Sequence, residues 1–330
     1  MALLLTEADV QSLLDMPLAM DAVEEAFRRL ADGSAISHSR QRIHLPGKCF
    51  LHYMAAGDGQ ANYVGLKIYT SARGGLRFLI PLFHAESGEL LALIEADYLG
   101  QMRTGAATGV ATRFLARTDA RVAGIIGTGL QARTQLEAVA QARKLEKVRA
   151  YGRDTQRREQ FAIEMSARLG LPVSAVSSAE EAARGADIVV TITTSTNPVV
   201  EGKWLEPGMH INAIGSNFAQ KRELDTDAVL RCDLIAADSR EQAKIEAGDL
   251  IQAFAGDESK WNSVREFGEI VAGKISGRTD PRQMTLFKSV GIAVEDIVLA
   301  GRIYALARER GVGREVPMWQ KDAKSREVRI

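Results

Sequence analysis

Lys67 interrupts the apolar run Val64-Gly65-Leu66-Lys67-Ile68-Tyr69, where every neighbour reads as core. A buried lysine needs a partner or a task, because an unpaired charge is costly away from water. Arg42 falls in an alternating segment, and Arg103 lies among the small residues Gly105, Ala106, Ala107, Gly109 and Ala111. Singly, each cation reads as salt-bridged or solvated. Together the three have the charge and donors to clamp a carboxylate. A second signal is Gly127-Thr128-Gly129-Leu130-Gln131-Ala132, which has the form GxGxxA and follows the apolar run Val122-Ala123-Gly124-Ile125-Ile126. In that context the first glycine permits a tight strand-to-helix turn and the second lets backbone approach a pyrophosphate. The helix N-terminus then offers N–H donors to the anion. The next strand ends at Tyr151-Gly152-Arg153-Asp154, with Arg157 and Arg158 close behind. Gly152 stands where an acid would take the ribose 2′-OH of NAD. Arg153 suits a 2′-phosphate, so NADP is favoured slightly over NAD, the other reading being that Arg153 stacks on adenine and Asp154 reaches the ribose.

The elements that must position these residues follow from periodicity. Residues 6 to 30 read as helical, with Thr6 capping a short helix, Asp15-Met16-Pro17 restarting the chain with proline in a first turn, and Gly33 as a stop. From about residue 40 to 96 the period falls toward two, giving strands at 43–45, 50–55, 63–69, 79–84 and 90–95 in a mostly antiparallel sheet. Residues 98 to 116 form a helix with so little side-chain bulk that something must approach it closely. After it, strands at 122–126, 148–152, 187–192, 210–215 and 234–237 alternate with helices, the pattern of a doubly wound parallel sheet. Ser178-Ala179-Glu180-Glu181 reads as a capping box, and a last long helix spans 292 to 310. The expected class is α/β: a Rossmann doubly wound sheet over 117–310, plus a smaller α+β substrate-binding and dimerisation domain from 1–116 with 311–330.

Composition narrows the functional classes. The 330 residues carry 42 basic and 42 acidic side chains, without the basic excess of a nucleic-acid binder. Cys49 and Cys232 have no companion at metal-ligand spacing, so neither a zinc site nor a disulfide framework is indicated. Residues 1–5 run straight into Thr6-Glu7-Ala8-Asp9, unlike a signal peptide, and no apolar run reaches a membrane span. A cytoplasmic protein with no nucleic-acid or membrane partner is expected.

The chain resembles the ornithine cyclodeaminase and mu-crystallin family. The likeness is carried by Arg42, Gly65-Leu66-Lys67, Met102-Arg103-Thr104-Gly105-Ala106-Ala107, the GxGxxA string, the run from Leu205 to Gly215 and the run from Phe287 to Asp296. The resemblance implies a homodimer that binds NADP or NAD and a small imino or amino acid, with Arg42, Lys67 and Arg103 holding the substrate carboxylate. It also implies that Thr104, Thr191, Thr193 and Thr194 lie near the cofactor, and that Ser289, Val290 and Gly291 line the cleft. Asn217 stands where cyclodeaminases carry an aspartate base, and an amide cannot take a proton. Asp225 and Asp227 follow it and read as capping or solvated carboxylates. His52 replaces a glutamate that would suit a substrate's distal amine, and can donate to an anionic or polar group instead. The expected activity is NAD(P)H-dependent reduction of an α-imino acid, with amino-acid dehydrogenation as the reverse and Lys67 either donating the proton or polarising the imine. Two alternatives stay open: a cyclodeaminase-type lyase with tightly bound NAD, and a non-catalytic NADP-dependent binder of small ligands like mu-crystallin.

Overall fold

The computed structural model describes residues 1–318. Its first third runs β1 (Ala2–Leu5), α1 (Glu7–Leu13), α2 (Met16–Asp32), β2 (Ala35–Ser37), β3 (Gln41–Leu45), β4 (Cys49–Asp58), β5 (Tyr63–Ala72), β6 (Gly75–His84), β7 (Leu90–Glu95) and α3 (Asp97–Leu115). The Thr6 cap and the Gly33 stop form where the sequence places them, and Asp15 adds a further cap. Thr6 and Asp9 close a capping box on α1, Asp15 accepts from the N–H of Leu18 at the start of α2, and Gly33 ends α2 at φ 83°.

The second part alternates β8 (Val122–Ile126), α4 (Leu130–Ala142), β9 (Lys147–Tyr151), α5 (Thr155–Leu169), β10 (Val173–Ala175), α6 (Ala179–Ala183), β11 (Ile188–Thr191) and β12 (His210–Ala213). It continues through α7 (Thr226–Leu230), β13 (Leu234–Ala237), α8 (Arg240–Glu246), α9 (Gly248–Phe254), α10 (Glu258–Trp261), β14 (Arg265–Glu266), α11 (Phe267–Val271) and β15 (Thr285–Lys288). The chain then returns to the first unit through α12 (Ala293–Arg310) and β16 (Arg314–Val316).

Two eight-stranded sheets result. The second has the order β10-β9-β8-β11-β12-β15-β13-β14 and is parallel throughout, the doubly wound arrangement expected from the alternation. The first has the order β16-β1-β7-β6-β5-β4-β2, with β3 also paired to β4. It is antiparallel except where β1 runs parallel to β7.

One boundary differs from the expectation. Helix α12, expected within the dinucleotide-binding domain, packs on β4, β5 and α2 of the first unit. Its seat is cut for it: a Cβ on Gly65 of β5 would lie 2.8 Å from Ile297, and one on Gly301 of α12 would lie 2.5 Å from the Tyr63 ring. Of the expected 311–330 tail, β16 pairs antiparallel with β1, and residues 319–330 lie outside the described residues.

Helix α3 explains its own composition. A Cβ on Gly105 would stand 2.5 Å from the backbone oxygen of Thr134 in α4, and one on Gly109 would stand 2.8 Å from the Met20 methyl of α2. The helix is thus wedged between the two units, and it carries Arg103 to their junction.

Candidate active site

The GxGxxA string does what its spacing suggests. Gly127 leaves β8 at φ 114°, and a side chain there would strike the carbonyl of Ile192. Gly129 caps α4 with open space around its Cβ position and no side-chain hydrogen bond to the first turn. The free N–H groups of this 13-residue helix therefore face a cavity of about 580 Å³, lined by Thr128, Gly129, Gly152, Arg153, Arg157 and Thr193, among others. These residues fit a dinucleotide: bare glycine backbone for the pyrophosphate, and guanidinium groups where the adenosine ribose would lie. Gly152 is required by its neighbour, since a Cβ would meet the Thr128 hydroxyl. Within the motif, Leu130 is exposed at the start of α4 and Gln131 is half-buried. Asp154 spends one oxygen capping α5 through the N–H of Arg157.

The three cations converge, but they are not free. Lys67 is buried, with Nζ 2.7 Å from Asp296. Arg103 lies 2.9 Å from Glu295 and 3.2 Å from Asp296. Arg42 and a fourth cation, Arg40, both reach Glu246 at 2.5 Å, and Arg42 also donates to the backbone oxygen of Asn217 at 3.0 Å. Burial pushes Lys67 down to about 8, the Arg103 guanidinium adding to the effect and Asp296 opposing it. Burial lifts Glu295 to about 8 against the pull of Arg103, while Asp238 and Asp296 reinforce the rise. Gly291 makes room for the cluster: its φ is 78°, and a Cβ would lie 2.6 Å from the Arg103 guanidinium.

Beside Lys67 runs a cross-strand row. Arg42, His52, Tyr69 and Phe78 pair in register across β3, β4, β5 and β6. The His52 and Tyr69 rings stack at 4.3 Å and Tyr69 stacks on Phe78 at 4.7 Å. Burial, with Arg42 and Arg40 nearby, holds His52 down to about 4, so its ring is neutral near pH 7. Among the described residues its buried Nδ1 finds no hydrogen-bond partner.

Several residues expected near the cofactor or the cleft also bond within the protein. Thr191 is fully buried and gives its hydroxyl to Glu223, whose carboxylate also accepts from the N–H groups of Thr193 and Gly215. Ser289 donates to Asp238, which also takes the N–H groups of Val290 and Gly291. The Val290 carbonyl accepts from Arg40, and the Thr104 hydroxyl turns back to the Gly100 carbonyl. Of this group Thr193 and Thr194 line the cavity. Asp225 caps α7 and also receives the N–H of Gly202, as a capping carboxylate should. Asp227 sits in the first turn of that helix, where an acid suits the dipole.

The buried acids Glu246, Glu295 and Asp296 were missed from the sequence. Glu295 and Asp296 interrupt the apolar run Ala293-Val294-Glu295-Asp296-Ile297-Val298, the same signal that singles out Lys67.

The sequence profile of the ornithine cyclodeaminase/mu-crystallin family matches residues 1–311. The chain belongs to that family. An alanine dehydrogenase of Archaeoglobus fulgidus is 36% identical over 332 residues, covering 96% of this chain and 99% of its own. Among solved structures, the Delta(1)-pyrroline-2-carboxylate reductase of Thermococcus litoralis, in complex with NADH and L-proline, is 38% identical with a TM-score of 0.90. It covers 95% of this chain and 100% of its own. An archaeal alanine dehydrogenase dimer with bound NAD is 35% identical, also at TM-score 0.90, covering 96% and 99% respectively. The family fold thus extends over nearly all of this chain, from the dinucleotide cleft to the cation cluster.

Proposed function

We propose that this chain is an NAD(P)H-dependent reductase of an α-imino acid, whose reverse reaction is amino-acid dehydrogenation. One observation carries the reading: the buried Lys67 and Arg103, backed by Asp296 and Glu295, stand where the first unit meets the cleft edge of the parallel sheet. Ligands bind at the carboxyl ends of such strands. There Arg42 bonds the Asn217 carbonyl just after β12, while Thr193 after β11 faces the dinucleotide cavity. A reduced nicotinamide cofactor supplies hydride when bound. Arg103 and Arg42 orient the substrate carboxylate, and fixing one face of the imine in this way can supply much of the rate enhancement. Lys67 Nζ gives its proton to the nitrogen. His52 faces the rest of the substrate with an unsatisfied ring nitrogen, which suits a polar group there.

Asn217 separates this reading from a cyclodeaminase, which needs a base at that point. Asp225, fixed as a helix cap, is occupied elsewhere. The test is oxidation of NADH and NADPH with cyclic imino acids, iminosuccinate, and keto acids plus ammonia or methylamine. Ammonia release from ornithine with catalytic NAD, at a rate matching imine reduction, would overturn the reductase assignment.

The cofactor reading places NADP(H) slightly ahead of NAD(H), since Arg153 and Arg157 both line the cavity. Arg153→Ala is expected to weaken NADPH more than NADH. Equal losses would remove the argument. A homodimer completes the reading, built on the face of the first sheet opposite Lys67, where Ile43, Tyr53, Val64 and Leu79 are exposed. Two unpaired thiols, Cys49 and Cys232, suit the reducing cytoplasm.

A further inference from the structure

Two acids stand side by side at the start of α12, and the structure gives them different partners. Asp296 Oδ1 lies 2.7 Å from Lys67 Nζ and 3.2 Å from Arg103 Nε, while among the described residues Glu295 forms its ion pair with Arg103 alone. All four side chains are at least nine-tenths buried. We propose that Asp296 is the positioning residue for the Lys67 ammonium, fixing Nζ as the proton donor to the imine nitrogen, and that Glu295 serves only to set the Arg103 fork.

The inference rests on the reductase reading. In that reaction hydride adds to the imine carbon, the C=N π pair moves onto nitrogen, and nitrogen takes a proton from Nζ. Lys67 is left neutral and recovers its proton from solvent. A lysine side chain has four rotatable bonds, so its ammonium needs an external fixed point to meet a reacting atom.

The surroundings of Nζ single out Asp296. From α12 come Asp296 and, next to it, Glu295; from α3 comes Arg103, with Gly100 clearing space where a Cβ would lie 3.3 Å from Nζ. Arg40 approaches from the segment before β3, Met54 occupies the paired position on β4 one row from His52, and the Phe78 ring of β6 lies 5.3 Å away. Tyr69 follows two residues along β5. Asp296 is thus the one carboxylate among the described residues that reaches Nζ. Burial and Arg103 push Lys67 down to about 8, and Asp296 is what keeps it from falling further.

Two readouts test this. One is the titration of Lys67 followed by NMR of ¹³Cε-labelled lysine in the ligand-free protein, which needs no activity. The other is the pH profile of kcat for imine reduction. Asp296→Asn is expected to move the Lys67 midpoint and the basic limb of the profile down together by about one pH unit or more, with kcat down about tenfold. Glu295→Gln is expected to leave the midpoint in place and raise KM. Asp296→Glu keeps a carboxylate but displaces Nζ, so it should retain the midpoint and still lower kcat; it also decides the matter if the asparagine variant does not fold. An unmoved midpoint in Asp296→Asn, an equal shift in Glu295→Gln, or an undiminished kcat in Asp296→Glu would overturn the proposal. Failure of the wild type to reduce any imine would instead remove the reductase reading, and the titration would still report on the Lys67–Asp296 pair.

Discussion

Arg103 donates to Glu295 and lies beside Asp296 while Gly291, held by Asp238, presses against its guanidinium. The fork is therefore fixed before any substrate arrives. Arg103→Lys keeps the charge opposite both acids but loses the planar pair of donors. One charge-assisted hydrogen bond is worth roughly 1.5–3 kcal/mol, so kcat/KM for an imino acid is expected to fall about 10- to 100-fold. The melting temperature should stay close to that of the wild type. Unchanged kinetics in this variant would show that the substrate carboxylate binds elsewhere. Lys67 and Arg103 are legible in the sequence because each breaks an apolar or small-residue pattern, whereas Arg42 and Arg40 lie in and before a short alternating strand where a cation draws no notice. Their acids are harder to find, because an ion pair leaves no local trace of its partner. Arg40 and Glu246 are 206 positions apart, and Lys67 and Asp296 are 229.

At the scale of elements, α3 shows how close packing is written in glycine. Gly105→Ala would drive a methyl into the Thr134 backbone, which cannot yield without shifting α4 and the glycine turn before it. Gly109→Ala meets the end of the flexible Met20 side chain and the Ala138 methyl at 2.9 Å. Overpacking typically costs about 1–3 kcal/mol, and Gly105→Ala is expected at or above the upper end, with Gly109→Ala below it. Urea denaturation of the two variants checks the order. His210, at the start of β12, bonds its Nδ1 to the Thr285 hydroxyl across the register pair with β15. Burial, with Arg278 nearby, lowers it to about 3, so the fold refuses a proton that the unfolded chain takes up below about pH 6.5. The stability His210 contributes is full above 6.5 and drains away as pH falls toward 3, by about 1.4 kcal/mol per unit. The stability gap between wild type and His210→Gln should therefore shrink between pH 7 and pH 4.5; a constant gap would refute a neutral ring. The alternating strands and helices from 122 to 237 are legible because their apolar periods are sustained. By contrast β2, β10 and β14 have two or three residues each, too short for any period to declare itself.

At the scale of the whole molecule, one face of the first sheet carries the cation cluster and the other carries exposed Ile43, Tyr53, Val64 and Leu79. Tyr53, Ile68 and Leu79 pair in one row at the middle of that outer face. Leu79→Arg is expected to convert the proposed dimer to monomer in sedimentation velocity while leaving the far-UV circular dichroism unchanged. A monomeric wild type would remove the proposed interface. The same scale explains the misplaced domain boundary: α12 follows β15 directly in sequence, and only its contacts reveal that it belongs to the sheet formed more than two hundred residues earlier.

That return of the chain orders events during synthesis. Over β4 and β5 the inner face of the first sheet lies bare as it leaves the ribosome, because the helix that covers it there is made after the entire parallel sheet. The dinucleotide-binding half can finish folding while the first half is still waiting, with apolar surface exposed to chaperones or to neighbouring nascent chains. Stalled chains ending before residue 293 should accordingly be cut by protease within β4 and β5 yet protected across β8 to β15, and protection of both sheets should appear together once residues 293–316 have emerged.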